Sequence, residues 1–402
     1  MAVFLLAALD TKGAEADYLR WQLERLGLTC VVVDISCGPT AGTTADIPRN
    51  AVFSAAGFDA AALAAGDRAS AVDAAATAAA RLVAERFARK ELSGIIALGG
   101  SAGSTIGTAA MRALPLGVPK LMVSTLASGQ VRQYVGDKDI LMLNTVVDLA
   151  GLNRISRGVL STAARAMAGM VRLVCEADAE DDRPLVAATM FGVTTPCVSR
   201  AREVLEQAGY EVLVFHATGS GGRAMEALAR EGVLAGVLDL TTTELADELV
   251  GGFLTAGPER LTAAAQAGIP QVVSVGATDM VNFYGRTSVP VRFARRQLHA
   301  HNANVTLMRT TPDENERIGA EIGHKLAAAH GPAVVFLPAR GVSALDAEGQ
   351  PFCDPIARRA LFNALRQSAG STPVIELDLH INDAEFAEAA AQRLIELMRV
   401  PR

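Results

Sequence analysis

Apolar and polar positions come in blocks along the chain, and the blocks predict strand, helix, strand. VFLLAAL (3–9) is a continuous apolar run, the pattern of a strand covered on both faces. Asp10-Thr11-Lys12-Gly13 then turns into AEADYLRWQLERLG, where apolar residues recur at helical spacing. Gly27 stops this predicted helix, and CVVVDI (30–35) follows as a second strand. From Pro184 the same order recurs: PLVAATM, the turn FGVTTP, the helix CVSRAREVLEQAG and the strand EVLVFHA. Val3, Gly27 and Val33 fall in step with Leu185, Gly209 and Phe215 without a gap.

The echo continues. GIIAL (94–98) parallels GVLDL (236–240), and 117–123 parallels 268–274. The chain is therefore read as α/β, with two Rossmann-like, doubly wound parallel-sheet domains arising from an internal duplication. A length of 402 residues fits two domains. They are set at 1–180 and 181–402, with the acidic stretch EADAEDDRP (176–184) as linker. Later parallel strands are expected at NVTLMRT (304–310), AVVFLPA (333–339) and PVIELDLH (373–380), before a last helix, DAEFAEAAAQRLIELM.

In open parallel sheets, ligands bind beyond the carboxyl ends of the strands. In the first domain this points to the loops 10–13, 99–105 and 124–130. Gly99-Gly100-Ser101-Ala102-Gly103-Ser104-Thr105 lacks the lysine of a Walker loop and is not GxGxxG. Its glycines allow close approach of amides to an anion, and the following helix adds unpaired N–H groups. The plainer reading is a strand-to-helix turn with Ser/Thr caps. The parallel turn after GVLDL is ThrThrThrGluLeuAlaAsp, so the bare backbone at 99–103 is expected to serve a ligand and not the turn. In 10–13, Lys12 could supply phosphate charge and Asp10 could hold Mg²⁺ through water; a capped turn with a solvated lysine is the other reading. VRQYVGDKD (131–139) reads as a loop that closes over a ligand or meets a partner. The weakly periodic segment 36–72, with Asp67-Arg68, reads as a surface excursion or a functional flap.

The second domain offers different chemistry. His216, Asp279, Asn282, His299, His301, Arg340, Ser343, Asp346, Asp354, Asp378 and His380 lie at or near predicted strand ends. If several converge, they could make a divalent-metal site or an acid/base pair near neutral pH. A satisfied histidine or a helix cap would explain His380 equally well.

Composition narrows the function classes. The net charge is -6, with both signs scattered, so nucleic acid is not the expected partner. No run approaches the roughly 18 apolar residues of a membrane span. The start, MAVFLLAALDTKG, reads as a first strand and not as a signal peptide. Five dispersed cysteines (Cys30, Cys37, Cys175, Cys197 and Cys353) form no CxxC and suit a reducing, cytoplasmic setting.

Particular segments carry a resemblance. LDTKGAEADYLR, GIIALGGSAGST, PKLMVSTLASG, YVGDKDI and VVDLAGLNRISRGVL resemble the Tm-1-like ATP-binding domain. ATMFGVTTPCV, ATGSGGRAMEAL, LDLTTTELADELVGG and GATDMVNF resemble its companion half in the UPF0261 family. The resemblance covers essentially the whole chain and is expected to mark the stand-alone bacterial form. It implies a dimer or higher homo-oligomer that binds ATP with Mg²⁺ in its first lobe. It puts the nucleotide on Asp10, Thr11, Lys12 and Gly13, on Gly99, Gly100, Ser101, Gly103, Ser104 and Thr105, and on Ser124, Thr125, Ser128 and Gly129. Two departures are Gln130, where an acidic residue is expected, and DRASAV (67–72), where Gly is expected after the Arg.

Together these readings describe an ATP- and Mg²⁺-dependent enzyme acting on a small organic acid or sugar-derived substrate between the domains. Lys12, Asp279, His301 and His380 are its catalytic candidates. A non-catalytic nucleotide-binding dimer and a metal-dependent hydrolase, lyase or isomerase of the second domain are the competing readings. For the dimer contact the candidate is 146–160 and the helix after it, with an ordinary core helix as the alternative.

Overall fold

The apolar runs become the inner strands of two parallel sheets, each covered on both faces by helices. A computed structural model describes residues 1–38, 44–64, 66–129, 131–173 and 182–399; Cys175, Gln130 and most of the predicted linker lie outside the described residues. The chain forms two compact units, Met1–Glu180 and Asp181–Arg402. Among the described residues no helix is long and apolar enough to cross a membrane.

The first unit has five strands: β1 (Ala2–Ala7), β2 (Cys30–Asp34), β3 (Leu92–Gly99), β4 (Lys120–Ser124) and β5 (Leu141–Asn144). They pair in parallel in the order β2-β1-β3-β4-β5. Successive residues of β1 serve opposite faces, as the pleat requires. Phe4 and Leu6 pack with Ala75, Leu82, Ile106 and Met111 from the helices Arg68–Ala88 and Ser101–Arg112. Val3 and Leu5 pack with Leu19, Leu23, Leu160 and Met167 from the helices Leu9–Arg25 and Arg154–Arg172. The 146–160 segment thus enters the core through Leu149 and Leu160, and leaves Val146 and Ile155 exposed. Asn153 caps its helix through a reciprocal pair with Ser156.

The second unit runs β6 (Leu185–Met190), β7 (Glu211–His216), β8 (Gly236–Thr241), β9 (Gln271–Gly276), β10 (Met280–Phe283), β11 (Leu298–Asn302), β12 (Val305–Arg309), β13 (Ala333–Pro338) and β14 (Val374–Leu377). Its parallel sheet has the order β7-β6-β8-β9-β13-β14. Counted from each unit's start, both sheets follow 2-1-3-4-5, the flavodoxin-like doubly wound order, with one further strand at the end of the second. The two Rossmann-like sheets expected from the sequence are therefore present.

One strand is a correction. NVTLMRT does not join the parallel sheet. Its residues form β12, the centre of a separate antiparallel sheet with order β10-β12-β11. That sheet is inserted between β9 and the helix Pro312–Ala327. Leu307 and Met308 are buried, so the apolar run is real, but it covers a different layer.

Candidate functional site

In the 2-1-3-4-5 order the chain reverses direction across the sheet between β1 and β3, and a crevice opens outside their carboxyl ends. Here the first unit has a cleft of ≈ 580 Å³. Its walls include Asp10, Thr11 and Lys12 after β1, Gly99 to Gly103 after β3, and Asp148 after β5. The segment read as excursion or flap supplies Leu63, Gly66, Arg68, Ala71 and Val72, so it is part of the cleft wall. Ile35, Leu98 and Ile106 make one side apolar.

The β1 loop is held by the end of β2. Asp34 Oδ1 accepts the Leu9 amide at 3.3 Å, and the Ser36 hydroxyl accepts the Asp10 amide at 3.1 Å. Asp10 Oδ2 accepts the Gly38 amide at 3.1 Å, while its Oδ1 is buried without a partner among the described residues. The helix begins at Leu9, one residue before the predicted turn, and takes the turn in, but Lys12 leaves helical geometry at φ -127° and ψ 21°. That departure accompanies a hydrogen bond from Lys12 Nζ to the carbonyl oxygen of Leu149, and Lys12 still lines the cleft. Cys37 also lines the cleft, and burial, with Asp10 adding to it, pushes its thiol up.

The glycines after β3 divide into two kinds. A Cβ on Gly99 would lie 2.9 Å from Gly103 Cα, and one on Gly103 would lie 3.1 Å from the Leu98 carbonyl oxygen. Gly99 is required by the turn folding back on itself, and Gly103 is favoured there, since a Cβ would press on the Leu98 carbonyl by a few tenths of an ångström. The expectation that the bare backbone at 99–103 serves only a ligand is corrected at both positions. Gly100 is different: a Cβ there would meet nothing nearer than Thr125 Oγ1 at 3.6 Å. Gly100 is also the N-cap of the helix Ser101–Arg112 and provides no side-chain cap. The first-turn N–H groups and the positive end of the helix dipole therefore meet the cleft without a capping side chain.

The other nucleotide candidates lie around this cleft. Ser104 and Ser124 are fully buried and face each other, Oγ to Oγ, at 2.7 Å. They join the helix to β4 and do not line the cleft. Thr105 donates to the Ser101 carbonyl oxygen at 2.9 Å and lines a neighbouring outer depression. Thr125 sits beside Gly100, Ser128 and Gly129 are exposed, and Gly13 is buried in its helix, all outside the cleft lining. The VRQYVGDKD segment is tied elsewhere: Asp139 accepts from Lys120 Nζ at 2.7 Å and from the Gly117 amide at 2.8 Å, at the amino end of β4.

Of the second unit's catalytic candidates, Asp279 and His380 meet at Ser343, while His301 lies apart. Asp279 is buried, accepts from Ser343 Oγ at 2.8 Å and leaves Oδ1 without a partner. Burial pushes its carboxyl up to about 7, with Arg309 opposing and Asp346 adding to the rise. His380 bridges Ser343 O (Nε2, 2.9 Å) and the Asn382 amide (Nδ1, 3.1 Å), so both ring nitrogens are used in holding backbone. His301 is exposed on β11. Asp279 precedes β10 beside the Arg309 end of β12, whereas His301 lies at the Val305 end, the far side of the small sheet. Among the described residues no group of three or more His, Cys, Asp or Glu side chains is arranged for a metal ion.

What the sequence reading missed lies between β6 and β8, the matching switch point of the second unit. Arg260 pairs with Asp239 (Nη1 to Oδ2 at 2.5 Å, Nη2 to Oδ1 at 2.7 Å) and with Glu244 (Nε to Oε2 at 2.6 Å). All three are 0 % exposed. Glu226 stands 3.4 Å from Arg260 and caps the Leu261 and Ala263 amides. Glu244 Oε1 accepts the Gly219 and Gly222 amides at 2.7 and 3.1 Å. Burial works against the guanidinium's charge, but Asp239 and Glu244 outweigh it and keep it firmly protonated. One signal was available: Asp239 is a charge inside the apolar run GVLDL.

Similarity to known proteins bears on the whole chain. The chain is 48% identical over 399 residues to a UPF0261 protein of Clostridium tetani, covering 98% of each. It is 48% identical over 393 residues to the UPF0261 protein RA0729 of Rhizobium meliloti, covering 96% of this chain and 97% of that one. It is also 47% identical over 315 residues to the ToMV resistance protein Tm-1(GCR237) of Solanum lycopersicum, covering 77% of this chain and 42% of the tomato protein. The profile described as the Uncharacterised protein family (UPF0261) N-terminal domain matches residues 1–176. That of the C-terminal domain matches residues 183–398, and the chain belongs to the UPF0261 family.

Proposed function

We propose that the first unit binds ATP with Mg²⁺ in the cleft between the β1 and β3 loops. The observation that carries this reading is Gly100. It is the position in the turn where packing leaves room for a side chain, yet it has none, and it exposes an uncapped helix N-terminus to a cleft. In this reading the amides of the 100–103 turn, the Ser101 and Thr11 hydroxyls and Lys12 meet phosphate oxygens. Lys12 exchanges the Leu149 carbonyl for a phosphate. The apolar side formed by Ile35, Leu63, Val72 and Ile106 takes the base.

The donor set also fits a magnesium ion. Mg²⁺ keeps most of its waters and needs one or two carboxylates besides the phosphates. Asp10, with its unpartnered Oδ1, and Asp148 are those carboxylates. The lining carries two cations, Lys12 and Arg68, against these two anions, so in this reading the metal supplies the positive charge that a polyphosphate requires. The resemblance to the Tm-1-like ATP-binding domain agrees with this reading.

Titration calorimetry with Mg-ATP tests it. The wild type is expected to bind, and Gly100→Val to lose binding at least tenfold while folding normally. Wild-type protein that takes up no ATP at millimolar concentration sinks the proposal. Following bound ATP for hours, alone and with small organic acids or sugar acids, then separates an enzyme from a sensor. Release of ADP that depends on the added acid identifies an ATP-dependent enzyme; ATP that stays intact identifies a binding protein.

A further inference from the structure

Arg68 is the first residue of the helix Arg68–Ala88 and stands between two hollows. One is the ≈ 580 Å³ cleft described above. The other is an outer depression of ≈ 530 Å³, whose wall also includes Asp73 and Thr105. Arg68, Val72, Ser101 and Ala102 line both. The charge states of the neighbours matter here. Lys12, the other cation of the cleft, donates to Leu149 O and in the reading above turns to a phosphate at the Gly100 turn. Asp67, beside Arg68 in sequence, is committed to Ser70, accepting its amide at 3.0 Å and its hydroxyl at 3.2 Å. The Arg68 guanidinium makes no hydrogen bond or ion pair with the described residues. It is a cation at the positive end of its own helix, opposite the uncapped start of a second helix. Among the described residues no ion pair balances that placement.

We infer that Arg68 is the specificity residue for the terminal phosphates of the nucleotide, so that the site selects a triphosphate over a monophosphate. This rests on the nucleotide reading above. An anion that begins at the Gly100 turn and extends toward the outer depression passes Ser101 and meets Arg68, whose planar guanidinium suits two phosphate oxygens at once. A monophosphate at the Gly100 turn is satisfied by amides and does not need Arg68. The outer depression is then where the terminal phosphate faces solvent, open to whatever molecule approaches it.

The test is calorimetry of the full chain in Mg²⁺ with three probes: ATP, AMP and inorganic tripolyphosphate. Arg68→Ala is expected to weaken ATP and tripolyphosphate by about 10- to 100-fold and to change AMP less than about twofold. Arg68→Lys is expected to recover part of the loss, because it keeps the charge but not the fork. Melting without ligand checks the fold, and Arg68→Ala should melt no lower than wild type. If wild type binds ATP and the Ala variant loses ATP and AMP equally, or keeps both, the assignment of Arg68 is overturned while the nucleotide reading stands. If the wild type binds none of the three probes, both fall.

Discussion

At the carboxyl end of β3, Gly99, Gly100 and Ala102 line an open cleft beyond Ala97; in step with these four positions, at the end of β8 and just past it, stand Asp239, Thr241, Thr242 and Glu244. There the space is occupied by Arg260, fixed between Asp239 and Glu244. The carboxylate of Glu244 sits at the N-terminus of the helix Ser220–Arg230, where a bound anion would sit. The second unit thus supplies both an anion and a cation from its own sequence. The difference teaches that strand order marks where a crevice can form, while the side chains at four or five positions decide whether it stays open. A doubly wound unit with large charged residues there is a closed copy of the site.

Breaking the closed copy should have the largest effect. Arg260→Met strands buried carboxylates and is expected to destabilise the second unit by about 3–5 kcal/mol, read by chemical denaturation. ATP binding by the first unit should persist at temperatures where that unit remains folded. Next come the glycines of the open copy. Gly103→Leu forces a side chain against the Leu98 carbonyl and is expected to cost about 1–3 kcal/mol of stability. Gly100→Ala, with room for its Cβ, should cost less than about 1 kcal/mol and still weaken Mg-ATP severalfold. If Gly100→Ala instead destabilises like the Gly103 variant, the division into structural and functional glycines fails.

A pH series sharpens the contrast from the other side. Burial pushes Asp247 and Asp279 up to about 7 from 3.8, with Asn282 opposing the rise at Asp247. A raised carboxyl pKa means that the folded state holds the proton more tightly than the unfolded one. Their contribution is fully present below 3.8 and is lost as pH rises through about 7, on the order of 1 kcal/mol per pH unit per group. Denaturation between pH 4 and pH 8 should show the second unit weakening, and Asp247→Asn with Asp279→Asn should flatten the slope. The smallest effect on binding belongs to Ser124→Ala, which removes one buried hydroxyl pair and the acceptor of the Leu126 amide: about 1 kcal/mol of stability and no change in ATP affinity.

The sequence made the strands of both parallel sheets legible because buried parallel strands read as uninterrupted apolar runs, as VFLLAAL and GIIAL do. It did not separate NVTLMRT from them, since an antiparallel strand buried in a different layer carries the same apolar run. Topology pointed to two of the loops that line the cleft, 10–13 and 99–105; the third that it named, 124–130, does not line it, and Asp148 and the 63–72 segment were not reached that way. Which residues of the named loops reach the cleft was not legible. Ser104 and Ser124 have the composition of ligand contacts, but helix periodicity turns Ser104 inward and the pleat of β4 turns Ser124 to meet it. The Arg260 cluster draws on 226, 239, 244 and 260, positions with no local pattern to connect them. The histidines failed for a related reason: HxH on an edge strand fixes which face a residue takes, not which end of the sheet faces the acid.

The close approach of Gly99 to Gly103 has a consequence for inheritance. Descendants of this chain that made no use of the cleft would still be held to glycine at 99, where a Cβ would meet Gly103 Cα at 2.9 Å, and less tightly at 103, where it would press on the Leu98 carbonyl at 3.1 Å. Gly100 would be released and would drift. Glycine retained at 99 and 103 therefore records ancestry of the fold, and glycine retained at 100 records continued use of the cleft.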